Sequence, residues 1–302
     1  MTALKRVAAV LVLLVAFVGL FSISGQLVMP PELRVVAPEA EARSALGLLV
    51  MAILDVGFVV GVVLTSRLRG PRLWFLVSTV YWGTKSLTGQ LEAWYFMPNV
   101  TAALVPRLLL LTLPIAIVVP LLAVVLLGRW SGVEEFHAVR VPHMGALQLT
   151  WKWVLLSAVV YPVLFFLAGY YIAYSSEVVR AFYGGEVGGT FVGHMRTLLS
   201  SSPAIWAFET LRGALWVAMA CALLWTTRGK SWSGAGWVVL LFTLVQNDVH
   251  FIPNPLMPPT VQLFHFVETV SSNAIFAMII VALMHRAHVV APPAHPPRLS
   301  HA

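Results

Sequence analysis

Cysteine is nearly absent from this chain, and charge is scarce. The 302 residues hold one cysteine, Cys221, inside an apolar run. That excludes an internal disulfide, paired-thiol redox chemistry and a cysteine zinc site. Charged residues make up 10% of the sequence against 59% hydrophobic ones, where a soluble domain carries about 25% and about 45–50%. This deficit excludes an ordinary water-soluble enzyme, a disordered chain and a coiled coil. It leaves a polytopic membrane protein, in keeping with a mean hydropathy of +0.87. Acid is scarcer than base, 12 residues against 19, for a net charge of +7. The basic residues lie between apolar runs, with no contiguous basic stretch interleaved with aromatics of the kind nucleic acid requires. The expected partner is the lipid bilayer, not nucleic acid.

Apolar sequence is what the chain has in abundance. Eight runs are long enough to cross the hydrocarbon core, near residues 7–25, 46–65, 73–94, 103–127, 153–174, 204–226, 235–251 and 261–284. In lipid the backbone must satisfy its own hydrogen bonds, so these runs are expected as helices. The predicted fold is an all-α bundle of eight transmembrane helices forming one domain, 1–302. The first run follows Lys5 and Arg6 and ends in Ser22-Ile-Ser-Gly25, as a secretory signal does. Its length and the lack of a small-x-small site predict an uncleaved anchor.

Basic residues set the expected orientation. With the N-terminus inside, twelve of the 19 fall in inner segments: Lys5, Arg6, Arg67, Arg69, Arg72, Arg129, Arg140, Lys152, Arg228, Lys230, Arg286 and Arg298. Only Arg34, Arg43, Arg180 and Arg196 fall in outer loops, a clear positive-inside bias. Both termini are expected in the cytoplasm of a cell whose inner membrane holds the protein, bacterial by expectation. Residues 286–302 form a flexible tail.

The connections repeat. Each half has a long outer loop, a short basic inner turn and a short outer turn, and the short turns read Trp94-Tyr-Phe-Met-Pro98-Asn99 and Val249-His-Phe-Ile-Pro253-Asn254. This suggests a duplication, 1–130 and 151–285, of two parallel four-helix halves. Tight turns favour Pro-Asn in any case, which is the simpler explanation of the shared letters. Gly57-x-x-x-Gly61 reads as a close helix contact.

Charged groups within a span cost at least about 2.5–3.5 kcal/mol each near its centre unless paired or hydrated, so their positions carry the most information. Asp55 and Lys85 lie mid-span, followed by Glu92; Arg107, Glu209 and Arg212 open later helices. Asn247, Asp248 and His250 close the seventh run, and His265, Glu268 and Asn273 open the eighth. Ser78, Tyr81, Lys85, Thr88, Glu92 and Tyr95 recur every three or four residues and form one polar stripe. Asp55 with Lys85, and Glu209 with Arg212, read singly as structural ion pairs. Some ten costly groups at one depth instead predict a hydrated cavity open to the outside.

Three functions fit such a cavity. In the first, an embedded hydrolase-like enzyme acts on a lipid or membrane-associated substrate. Glu209, Arg212, His250, His265, Glu268 and Asn273 are then the catalytic set, and His250, His265 and Glu268 are candidate ligands for a divalent metal. The order Glu-x-x-Arg, His, His, Asn resembles the CAAX-protease-type intramembrane endopeptidases, which carry Glu-Glu-x-x-x-Arg, single histidines and His-x-x-x-Asn. Residues 208–212 depart from that pattern as Phe-Glu-Thr-Leu-Arg, and His265 stands eight residues from Asn273 rather than four. The second is a small-solute or proton-coupled carrier built around Asp55 and Lys85. The third is a non-catalytic accessory protein whose aromatic outer loop, about 174–203, binds a partner.

Overall fold

The computed structural model describes residues 2–34, 38–97, 99–132, 144–184, 189–227 and 231–284. The expected tail 286–302, the inner residues Arg140, Arg228 and Lys230, and Pro98 of the first Pro-Asn turn lie outside these. Every regular element among the described residues is helical, apart from an isolated bridge between Ser66 and Thr227.

In chain order the elements are α1 (Ala3–Val28), α2 (Pro38–Thr65), α3 (70–96), α4 (Val105–Leu126) and α5 (146–171). Two short helices follow, α6 (Glu177–Tyr183) and α7 (Phe191–Ser201). The last three are α8 (Ile205–Thr226), α9 (231–251) and α10 (Pro259–Met284). Six of these, α1, α2, α4, α5, α8 and α10, are long and apolar enough to cross a membrane, against the eight runs expected. The other two are continuous helical segments whose apolar run is broken by Thr84, Lys85 and Glu92 in α3 and by Gln246, Asn247 and Asp248 in α9. Burial inside the bundle lets them carry that polarity.

Three helices contain a π-turn: Gly83–Thr88 in α3, Leu156–Val160 in α5 and Leu241–Val245 in α9. Each adds a residue to the local turn, which rotates everything beyond it around the helix axis. α1 shows the simpler case of a peripheral helix. It buries only Ala9, Leu13, Phe17 and Ser24, one face of spacing four and seven, against α2 and α4. Leu4, Leu11 and Val15 on its other faces stay exposed, as suits lipid contact.

Close crossings depend on small residues. A Cβ on Gly61 would overlap the Trp237 ring, so the indole packs directly against α2 there and donates to the Thr65 hydroxyl at 2.8 Å. Gly57, the other half of the expected Gly-x-x-x-Gly contact, has no atom within 4 Å of such a Cβ; only Gly61 makes a helix contact. A Cβ on Gly213 would meet the Ser157 carbonyl oxygen at 2.8 Å. α8 therefore crosses α5 at its π-turn, where no other residue fits without displacement.

At one end of the bundle, cations cap helix C-termini, whose carbonyls carry partial negative charge. Arg129 donates to Ser66 O at 2.6 Å and to Leu68 O at 3.2 Å, beyond the end of α2. Lys152 is buried in α5 and donates to Leu283 O at 2.7 Å, near the end of α10. A large apolar core fills the bundle, with residues such as Phe58, Trp216, Phe242 and Phe276. A smaller apolar cluster, including Met97, Leu104, Val179 and Val261, lies near the opposite end.

Candidate functional site

Both aspartates of the chain, Asp55 and Asp248, meet on one lysine. Lys85 Nζ lies 2.5 Å from Asp55 Oδ2 and 2.5 Å from Asp248 Oδ1. Tyr81, one turn before Lys85, donates its hydroxyl to Asp55 Oδ2 at 2.7 Å. The carboxylates are 1% and 0% exposed, so this triad is closed to solvent. Its members come from α2, α3 and α9, and it joins three helices that are distant in sequence.

A second network forms where α3, α8 and α10 meet. Glu209 and Arg212 fall in the first two turns of α8 and face inward beside Gly213. Arg212 Nη1 donates to both Glu209 oxygens, at 3.0 and 2.8 Å, while Nη2 donates to Glu92 Oε2. The guanidinium also lies 5.4 Å from the Phe165 ring centre and 5.7 Å from that of Tyr161, contacts that suit a desolvated cation. On α10, His265 Nδ1 is 3.2 Å from Glu268 Oε2, and its Nε2 is 3.7 Å from Glu92 Oε1. Glu92 thus links the arginine to the histidine. Such a cluster is held by mutual compensation: each ion would be costly to bury alone.

Between these groups lies a cavity of about 10 Å³, room for one water molecule. Glu92, Arg212, Glu268, Ser272 and Asn273 are among its walls. This space is far smaller than the expected open, hydrated vestibule. Tyr174, Phe182 and Tyr183 belong to the smaller apolar cluster, and the Tyr183 phenol feels both Glu268 and Glu92. Burial, with those carboxylates adding to it, pushes that phenol well above its ordinary value. Tyr183 is therefore a neutral phenol within the smaller apolar cluster.

The sequence-derived set is divided by this geometry. Arg212, Glu268 and Asn273 line the cavity together with Glu92, while Glu209 and His265 stand behind them, bound to Arg212 and Glu268. His250 stands beside them, its ring centre 5.3 Å from that of His265 and edge-on to it, with a buried Nδ1 that has no hydrogen-bond partner among the described residues. Asp55, Lys85 and Asp248 form the separate triad. Arg107 is exposed in the first turn of α4 and joins neither. Among the described residues, no group of three or more His, Cys, Asp or Glu side chains is arranged to hold a metal ion. The proposed ligands His265 and Glu268 are instead spent on each other, and the metal set of His250, His265 and Glu268 is not formed.

Some contributors escaped the sequence reading. Tyr161 and Phe165 lie one turn apart on α5, yet their aromatic character alone reads as core; only the arginine opposite gives them a role. Tyr183 was legible merely as one of several interfacial aromatics. Compared with protein-family models, with curated proteins and with solved structures, the chain has no significant match.

Proposed function

We propose that this chain is a membrane-embedded hydrolase that activates a single water enclosed by Glu92, Arg212, Glu268 and Asn273. The observation that carries this reading is the one-water cavity walled by a histidine-linked carboxylate, a charged guanidinium and an amide. Glu268 takes the proton as the water oxygen attacks the acyl or phosphoryl centre, and His265 orients that carboxylate. Arg212 and the Asn273 amide stabilise the oxyanion that develops. Glu209 and Glu92 hold the guanidinium in place, and the departing group recovers the proton from Glu268. The water-excluding surroundings strengthen each of these interactions. Because the cavity borders α5 and α10 within the apolar bundle, the substrate class is a lipid or a membrane-associated peptide.

The same reading includes eight crossings, with α3 and α9 spanning alongside the six apolar helices. The capped, basic end then lies in the cytoplasm and the smaller apolar cluster outside. Two parallel halves are supported by the bridge between Ser66 and Thr227, which follows Thr65 and Thr226 at corresponding positions of the two inner turns. Arg67 N donates to Thr226 O at 2.8 Å in the same contact. The π-turns in α3 and α9, the third span of each half, add to it.

The test is hydrolysis by the purified protein in lipid nanodiscs, using panels of acyl-ester lipids, phospholipids and transmembrane peptides. Turnover should fall about 10²–10⁴-fold in Glu268→Gln, with the fold retained. No hydrolysis of any panel member, or turnover indifferent to Glu268→Gln, would overturn the assignment.

A further inference from the structure

The Asp55–Lys85–Asp248 triad has no part in that hydrolytic scheme, and its charges do not balance. One ammonium faces two carboxylates in a place where neither carboxylate is more than 1% exposed. The Tyr81 hydroxyl donates to Asp55 but brings no charge. Asp55 and Asp248 each keep one oxygen, Oδ1 and Oδ2 respectively, that is buried without a hydrogen-bond partner among the described residues. Both carboxyls reach the same ammonium nitrogen at 2.5 Å, which makes them close neighbours. Two ionised carboxylates at such range repel each other.

The groups that act on the triad come from every helix that forms it. α2 supplies Asp55, α3 supplies Tyr81 and Lys85, and α9 supplies Asp248. With Lys85 as ammonium and Tyr81 neutral, one added proton makes the set electrically neutral. It also turns one orphaned oxygen into a donor. Paired carboxyls that share a proton are a recurring device for holding a titratable hydrogen in a dry site, and ionisable groups within a membrane commonly mark such exchange.

We propose that Asp55, Lys85 and Asp248 form a binding site for one exchangeable proton, held between the free oxygens of the two aspartates. Hydronium delivers the proton to a carboxylate and leaves water, while Lys85 stays protonated throughout. The site couples the packing of α2, α3 and α9 to proton occupancy, because removing the proton restores repulsion between α2 and α9.

The test is infrared difference spectroscopy of the full chain in lipid nanodiscs across a pH titration, in H₂O and in D₂O. The chain has only two aspartates, so aspartate-specific ¹³C labelling assigns the band in the wild-type protein and needs no variant. The expected result is one protonated-carboxyl band that shifts on aspartate labelling, moves in D₂O and disappears reversibly as pH rises. Asp55→Asn and Asp248→Asn should each abolish it, since a lone aspartate stays ionised against Lys85, and Glu268→Gln should retain it. Absence of the band, its insensitivity to aspartate labelling, or its persistence in D₂O and alkali would overturn the proposal. So would loss of the band when sodium replaces choline in the buffer, which would make a metal cation the ligand. Glu268→Gln separates this result from the hydrolytic reading, since either site can fail alone.

Discussion

Arg212 is the residue on which the ionic layer turns. Its guanidinium is 2% exposed and answers two carboxylates, Glu92 and Glu209, from different helices. Truncation to alanine leaves both acids buried without a cation, a loss that costs about 3–5 kcal/mol where one partner of a buried pair is removed. Arg212→Ala should therefore unfold far more readily in equilibrium denaturation in mixed micelles. Arg212→Met combined with Glu92→Gln and Glu209→Gln should recover most of the loss, because no uncompensated ion remains. Equal instability in both variants would show that packing, not charge, is what Arg212 contributes. At this scale much was legible. The Glu209–Arg212 pair follows from i,i+3 spacing, and Asp55 with Lys85 follows from two opposite charges at mid-span. Glu92 and Asp248 were placed near the site but without their partners. Their contacts with Arg212 and Lys85 span 120 and 163 residues, and no local spacing encodes such a choice.

Helices bring these groups together through their irregularities. The stripe Ser78, Tyr81, Lys85, Thr88, Glu92 and Tyr95 has the spacing of a regular helix face, yet Gly83–Thr88 is a π-turn. The extra residue turns Glu92 away from the direction of Lys85. Lys85 meets the aspartates, Glu92 meets Arg212 and His265, and one expected cavity becomes two networks. Periodicity cannot reveal a π-turn, because the turn depends on what packs around it. Helix ends, in contrast, were close: the run near 204–226 became Ile205–Thr226, and that near 261–284 became Pro259–Met284. The segment at about 174–203, expected as an aromatic loop, contains the helices α6 and α7. Among the glycines, Gly213→Ala should destabilise by about 1–3 kcal/mol through overpacking against the rigid α5 backbone. Gly57→Ala should leave stability unchanged or slightly raised, since it faces open space and alanine favours helix. Thermal unfolding of both variants checks this; equal losses would remove the α5–α8 crossing as a determinant of the site.

Over the whole molecule, two apolar masses enclose a thin ionic layer. The larger core packs residues such as Phe58, Trp216 and Phe276, and the smaller cluster holds Met97, Leu104, Val179 and Val261. Composition alone made the class of protein plain, because so few charges and so many apolar residues leave no soluble alternative. It said nothing of the smaller cluster, since Phe182 and Tyr183 join it from a segment outside the apolar runs. The proposed orientation is open to direct check in a Cys221→Ser background. Cysteines introduced at Ser131 and Thr190 should label from opposite sides of the membrane; labelling from one side would require another topology.

The enclosed water is the centre of the proposal, and a density map of the full chain in nanodiscs, at a resolution that shows ordered solvent, tests it most directly. One isolated peak is expected within hydrogen-bonding distance of the Glu268 carboxylate and the Asn273 amide, with Arg212 bound to both Glu92 and Glu209. A dry space there, or carboxylates drawn apart with separate partners, would contradict it.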